Sequence, residues 1–268
     1  MTVRQARFEI SARRALQAIQ LCAVVALTLF ASACGGGQPG GAAETAPIKN
    51  PVDPATAAII TGTVRFEGTA PAPRPISTKS DPRCTPEGAG PMTETIVPGE
   101  KGALQNVFVY VKDGLGALVF PVPSVAVVLD QKGCVYRPHV FGVQRGQPVE
   151  ILNSDATLHN IHARPAANQE FNVGQALQGL RHTHAFSTRE VMVPFKCDVH
   201  KWMNAYVGVL DHPFYAVTGS SGAFELKGLP PGTYTIEAWH EKLGTRTERV
   251  SVGAKDTKNV AFSFAIQS

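Results

Sequence analysis

Residues 195–206 read Phe-Lys-Cys-Asp-Val-His-Lys-Trp-Met-Asn-Ala-Tyr, so Cys197, His200 and Met203 stand at C-x2-H-x2-M spacing. A thiolate, an imidazole and a thioether this close in sequence can meet at one ion only if the chain wraps around it. That donor set suits copper, which is held in electron-transfer sites by two imidazoles and a thiolate in a trigonal plane with a weak axial thioether. The second imidazole must come from elsewhere. His159, in Asn-Ser-Asp-Ala-Thr-Leu-His-Asn over 153–160, is the candidate. No general acid–base pair or activated nucleophile stands out, because Asp155 and Asp198, which flank the ligand positions, read as solvated loop carboxylates. The expectation is therefore not an enzyme.

Four further histidines need an account. His162 lies close enough in sequence to join His159, Cys197 and His200 in a rival zinc or copper(I) storage site. His182 and His184 in Arg-His-Thr-His are spaced to share one strand face, where they could hold a second metal. His139, after Pro138, reads as a strand-edge residue, and Met192 as a core side chain.

The elements that must position these groups are strands. Runs at 60–66, 105–111, 125–129, 140–144, 149–152, 191–195 and 206–210 are short, rich in Val, Ile, Phe and Tyr, and mostly bounded by turn residues. Helical periodicity is missing downstream of the N-terminal segment, although 168–180 could hold a short helix. The fold class that follows is all-β, built of sandwiches.

Segments 140–162 and 191–210 together resemble a cupredoxin, the plastocyanin and amicyanin family. In that family an N-x-D segment leads to the first His followed by Asn, and the other ligands sit on the loop between the last two strands. The resemblance implies a Greek-key β-sandwich with one type 1 copper held by His159, Cys197, His200 and Met203. It also implies that Asn160 ties the two ligand segments together, and that a redox partner docks near His200, exposed at the surface. Three features depart from the family pattern: the extra histidines, Lys201-Trp202 beside the ligand expected at the surface, and Asn204-Ala205 where a Gly usually follows the Met.

The segment Gly-Ala-Phe-Glu-Leu-Lys-Gly-Leu-Pro-Pro-Gly-Thr-Tyr over 222–234 resembles the carboxypeptidase regulatory-like, transthyretin-type β-sandwich. Phe224 and Leu226, then Tyr234, Ile236 and Ala238, then Val260, Phe262, Phe264 and Ile266 alternate with other residues, so one face of each strand packs inward. The segment is short for that sandwich. Its usual first strand matches Gly-Thr-Val-Arg-Phe-Glu-Gly at 62–68, near the other end. The expected organisation is a signal peptide at 1–33, a lipidated tether at 34–58, an N-terminal β segment at 59–112 that completes the C-terminal sandwich, a copper domain at 113–212, and the regulatory-like sandwich at 213–268. Such sandwiches occur in surface proteins, so a polysaccharide-binding module with Tyr215 and Trp239 on a sugar face is the competing function.

Hydrophobic residues make up 44% of the 268 and charged residues 17%, which allows a core and argues against disorder throughout. The formal charge of +4 is concentrated in Arg4, Arg7, Arg13 and Arg14, and the rest is nearly neutral, which excludes nucleic acid as a partner. Residues 19–31 form an apolar run behind Arg13-Arg14, shorter than a membrane span, as in an export signal. Ala-Ser-Ala-Cys at 31–34 resembles a bacterial lipobox, which implies acylation of Cys34 and a lipid bilayer as partner; ordinary secretion is the alternative. Either places the chain outside the cytoplasm, at the periplasmic or cell-surface face of a membrane. Cys84 and Cys134 are then the two unassigned thiols in an oxidising compartment. Pairing them as a disulfide would stabilise the fold by roughly 4 kcal/mol, two separate buried thiols being the alternative.

Overall fold

The computed structural model describes residues 50–85 and 90–266. The expected export signal and the expected lipidation site at Cys34 lie outside these residues, as does most of the expected tether. Among the described residues no helix is long and apolar enough to cross a membrane, and the regular structure is β-strand apart from two 3-10 turns.

One sandwich pairs a five-stranded with a four-stranded sheet. The first has the order β5 (Val140–Gln144), β11 (Asn204–Leu210), β10 (Glu190–Lys196), β7 (His159–Ala163) and β8 (Phe171–Gln175). The second runs β4 (Tyr136–Arg137), β3 (Val127–Gln131), β6 (Pro148–Asn153) and β9 (Arg181–Ala185). Alternation explains their facing: Val149 and Ile151 of β6 meet Val143, Ile161, Val193, Phe195 and Val207 in one buried cluster, and Cys197 and Met203 belong to it.

A second sandwich is built from both ends of the described chain. β1 (Ala58–Phe66) lies between β13 (Ala223–Leu229), which it pairs antiparallel, and β16 (Thr257–Phe264), which it pairs parallel. The facing sheet is β12 (Tyr215–Val217), β2 (Phe108–Asp113), β14 (Gly232–His240) and β15 (Gly244–Val252). Ile60, Val64, Phe224, Leu226, Val260, Phe262 and Phe264 close against Val109, Val111, Ile236 and Ala238.

The two sandwiches share an apolar seam. β2 is buried on both faces because Val109 and Val111 enter the second core, whereas Phe108 and Tyr110 pack with Val140 and Leu210. Gly142 and Gly208 make this seam. A Cβ at Gly142 would fall 2.4 Å from the Tyr215 ring, and one at Gly208 2.4 Å from the Phe108 ring. The aromatics of one sandwich thus press closely on backbone of the other.

Segment 168–180 is not a helix. It contains β8, held by the antiparallel register His159↔Gln175 through Ala163↔Phe171, so sheet pairing overrides a weak local helical pattern. Tyr215 and Trp239 are both half-buried and engaged in packing. The Tyr215 ring stacks on Phe108 and its hydroxyl donates to the Gly142 carbonyl, while Trp239 packs on Tyr206.

Candidate metal centre

The loop at 197–203 is closed by its own strands. β10 and β11 pair through Phe195↔Ala205 and Lys196↔Asn204; above them Cys197 N–H donates to the Met203 carbonyl and Met203 N–H to the His200 carbonyl. β10 also pairs with β7 at Lys196↔His162, and continuing that antiparallel register sets 197–199 beside 161–159. His159, Cys197 and His200, all buried, offer ligand atoms within 4.8 Å of one another. Met203 is buried in the same cluster.

The two imidazoles face each other through Nδ1, 2.9 Å apart. Their far nitrogens are engaged by carboxylates: His159 Nε2 lies 2.9 Å from Asp155 Oδ2 and His200 Nε2 3.3 Å from Asp81 Oδ2. With a proton on each Nε2, both Nδ1 lone pairs point into the same space, so a cation or a proton must lie between them. Two nitrogens bound to one ion at roughly 2 Å each can be no more than about 4 Å apart, and 2.9 Å falls inside that limit. The donor set therefore fits a metal, and the carboxylate behind each imidazole is the arrangement that fixes a ligand's tautomer.

The charges agree with this reading. Burial opposes ionisation of Cys197, but the His159 imidazole and the backbone N–H groups of Asn160, His200 and Val199 outweigh it and hold the thiol below its ordinary value. Burial also opposes a charge on His159, yet Asp155 and Cys197 raise it above the usual histidine range. His200 is pushed down by burial and by its neighbour His159, Asp81 opposing. The pair thus favours a thiolate with a proton on the facing imidazole, and a metal ion would take the place of that proton.

Several residues stand behind the candidate ligands. Asn160 Oδ1 accepts from Asp198 N–H at 2.6 Å and from the Cys197 thiol at 3.3 Å, and its Nδ2 donates to Asp198, so its side chain spans the two ligand segments. Asp155 is not a solvated loop carboxylate. It accepts from Gly133 and Cys134 N–H, both at 2.8 Å, as well as from His159. The turn carrying it is shaped by fully buried Asn153, which accepts from Asp155 N–H and donates to the Thr157 and Gln175 carbonyls. Asp198 does remain exposed, bonded to His162 and Asn172.

His200 is not at the surface; it is 2% exposed. Segment 81–84 covers it, and Cys84, disulfide-bonded to Cys134, places Sγ 3.6 Å from its Nε2. Asp81 is the residue beside the candidate ligands that sequence reasoning missed. It is chelated by Arg83 and accepts from the Thr157 hydroxyl at 2.6 Å; with His200 adding to these bonds, its carboxyl stays well below the usual range, Arg83 contributing most and burial opposing. An Asp before Pro-x-Cys signals a turn cap, but nothing local signals that the turn lies over His200. Trp202 sits with its ring 5.1 Å from His200, and its indole N–H donates to the Cys134 carbonyl.

The remaining histidines stand apart. His162 points to Asp198 and Glu170 and does not enter the ligand group, since alternation along β7 turns it from the face of His159. His182 and His184 pack on Phe171, and among the described residues neither belongs to a group of three ligand atoms. His139 is buried against Glu241 at 2.6 Å. Met192 is half-buried in the seam.

Residues 203–265 match the family model described as the Carboxypeptidase regulatory-like domain. This Carboxypeptidase regulatory-like match begins inside the ligand loop and takes in β11 through β16, and it includes neither β1 nor β2. No curated protein matches the chain by sequence. Among solved structures, a Cu-containing nitrite reductase from Thermus scotoductus SA-01 overlaps 38% of this chain at 16% identity and a TM-score of 0.32, and the chain spans 26% of that protein. A purple cupredoxin from Nitrosopumilus maritimus overlaps 32% of this chain and 98% of its own, at 21% identity and a TM-score of 0.27. A Cu(I) amicyanin variant overlaps 31% and 81%, at 21% identity and a TM-score of 0.28.

Proposed function

We propose that this is an exported, lipid-anchored type 1 copper protein that carries single electrons between redox partners and catalyses no bond chemistry. The observation that carries the reading is the convergence of two Nδ1 atoms and one thiol in a buried site, with a carboxylate behind each imidazole. His159, His200 and Cys197 would hold the metal and Met203 would supply the weak axial thioether. When bound, copper supplies a one-electron couple between Cu(I) and Cu(II). The protein's own work is to keep the ligand positions fixed: Asp155 and Asp81 orient the imidazoles, Asn160 locks Cys197 to β7, and the apolar cluster excludes water.

A redox protein would dock near His200. The surface there is formed by segment 81–84 and by Val199, whose side chain is exposed next to the buried ligand. Acylated Cys34 would hold the chain at the periplasmic or cell-surface face of a bilayer, where two or more acyl chains at ~0.8 kcal/mol per buried CH₂ give a stable anchor.

The test is the visible spectrum after one equivalent of Cu(II), run beside Cys197→Ser. An intense thiolate-to-copper band confined to the unsubstituted protein is expected; a colourless protein would overturn the reading. The burial of His200 favours a second one, copper or zinc storage or delivery. It predicts tight Cu(I) or zinc binding with no stable Cu(II) form, and the same spectrum separates the two.

A further inference from the structure

Beyond the site at Cys197, Cys84, Cys134 and His200 form a second group whose ligand atoms lie within 4.8 Å of one another. All three are buried. The geometry points to a second, redox-gated metal site: when the Cys84–Cys134 disulfide is opened, the two thiolates and His200 Nε2 bind a divalent d10 cation such as Zn(II), with Asp81 as the fourth ligand. The site does not depend on copper at Cys197. If both sites fill, His200 bridges them, one ring nitrogen to each.

Three observations support it. The first is direction. His200 Nε2 faces away from the Cys197 group and lies 3.6 Å from Cys84 Sγ and 3.3 Å from Asp81 Oδ2. Zinc is satisfied by two thiolates, an imidazole and a carboxylate in a closed tetrahedral set.

The second is that both cysteines are anchored by bonds that do not involve sulfur. Cys134 gives its N–H to Asp155 and its carbonyl accepts from Trp202. Cys84 N–H donates to the Asp81 carbonyl, and Asp81 is itself held by Arg83 and Thr157. Opening the S–S bond therefore leaves the two sulfurs close together.

The third is charge. Two thiolates neutralise a divalent ion, and the Asp81 carboxylate is already matched by the Arg83 guanidinium at 2.9 Å. A buried ion needs such balance.

The chemistry balances with a dithiol as reductant. Its two sulfurs form a new disulfide, two electrons and two protons pass to Cys84 and Cys134, and metal binding releases the two thiol protons while the His200 proton shifts from Nε2 to Nδ1; that proton leaves only if a metal also binds Nδ1.

The experiment uses the full-length protein carrying Cys197→Ser, so that the first site contributes nothing. One sample stays oxidised, the other is reduced with a dithiol and desalted without air, and both are titrated with Zn(II) against a chromophoric competitor, with near-ultraviolet circular dichroism recorded throughout. The reduced protein is expected to bind one more equivalent than the oxidised, with its dichroism retained. Adding Cys84→Ser and Cys134→Ser removes that equivalent, and His200→Ala weakens it by at least about tenfold. No added equivalent, an equivalent that survives loss of both cysteines, or loss of tertiary dichroism on reduction would overturn the proposal and leave the disulfide as a covalent staple.

Discussion

Asp155 shows how one carboxylate can fix the tautomer of a buried histidine. Its two oxygens take three donors: the N–H groups of Gly133 and Cys134 and the His159 Nε2. In Asp155→Asn only one oxygen remains, and the new amide turns its own hydrogens toward a donor. His159 then loses the partner that keeps its proton on Nε2, so its Nδ1 is no longer held free for a metal. Copper affinity measured by competition should fall ~10- to 100-fold, and the orphaned donor should cost ~1–3 kcal/mol in urea unfolding. An affinity unchanged by this substitution would remove Asp155 from the site.

Strands differ in how clearly the sequence announces them. β1, β5, β6 and β11 are rich in Val, Ile and Phe, and their runs are visible without a structure. β8 and β9 are not: Phe171–Gln175 buries only Gln175 and Arg181–Ala185 buries no residue, and only pairing with β7 and β6 makes them strands. The seam between the sandwiches is equally hidden, because it depends on two glycines under aromatic rings that come from distant parts of the chain. Gly208→Ala would drive a methyl group into Phe108. This should destabilise the protein by about 1–3 kcal/mol, read as a lower urea midpoint with an unchanged slope.

For the whole molecule, the second sandwich cannot stand without residues from the first half. A fragment of 213–268 lacks Ile60, Val64, Val109 and Val111, which occupy its core. It should give the circular dichroism of an unfolded chain and no cooperative transition on heating; a cooperative transition would show that β1 and β2 are dispensable. The same core depth sets a pH dependence. His212 and His240 are each pushed down to about 4 by burial. His240 Nδ1 accepts from the N–H groups of Lys242 and Leu243, and His212 Nε2 donates to the Val111 carbonyl. Both stay neutral in the fold while the unfolded chain takes up protons below roughly pH 6.5. The unfolded state therefore binds more protons, and stability is full above that pH and lost as it falls toward 4, by up to about 3 kcal/mol for each histidine. Urea midpoints between pH 7 and 4.5 should trace the loss, and His212→Gln with His240→Gln should flatten it.

The sequence by itself determined the strand-rich character, the C-x2-H-x2-M spacing and the alternating strands of the C-terminal sandwich. These are local properties: side-chain type, period and turn chemistry are written along the chain. Only the tertiary structure decided that Asp81 and Asp155 stand behind the two imidazoles, that His200 lies covered, and that the Cys84–Cys134 pair touches it. Those contacts join residues such as Asp81 and His200 that share no periodic pattern. What brings them together is the register of β7 against β10 and the closure of a covering turn, and hydrophobic burial elsewhere in the sandwich drives both.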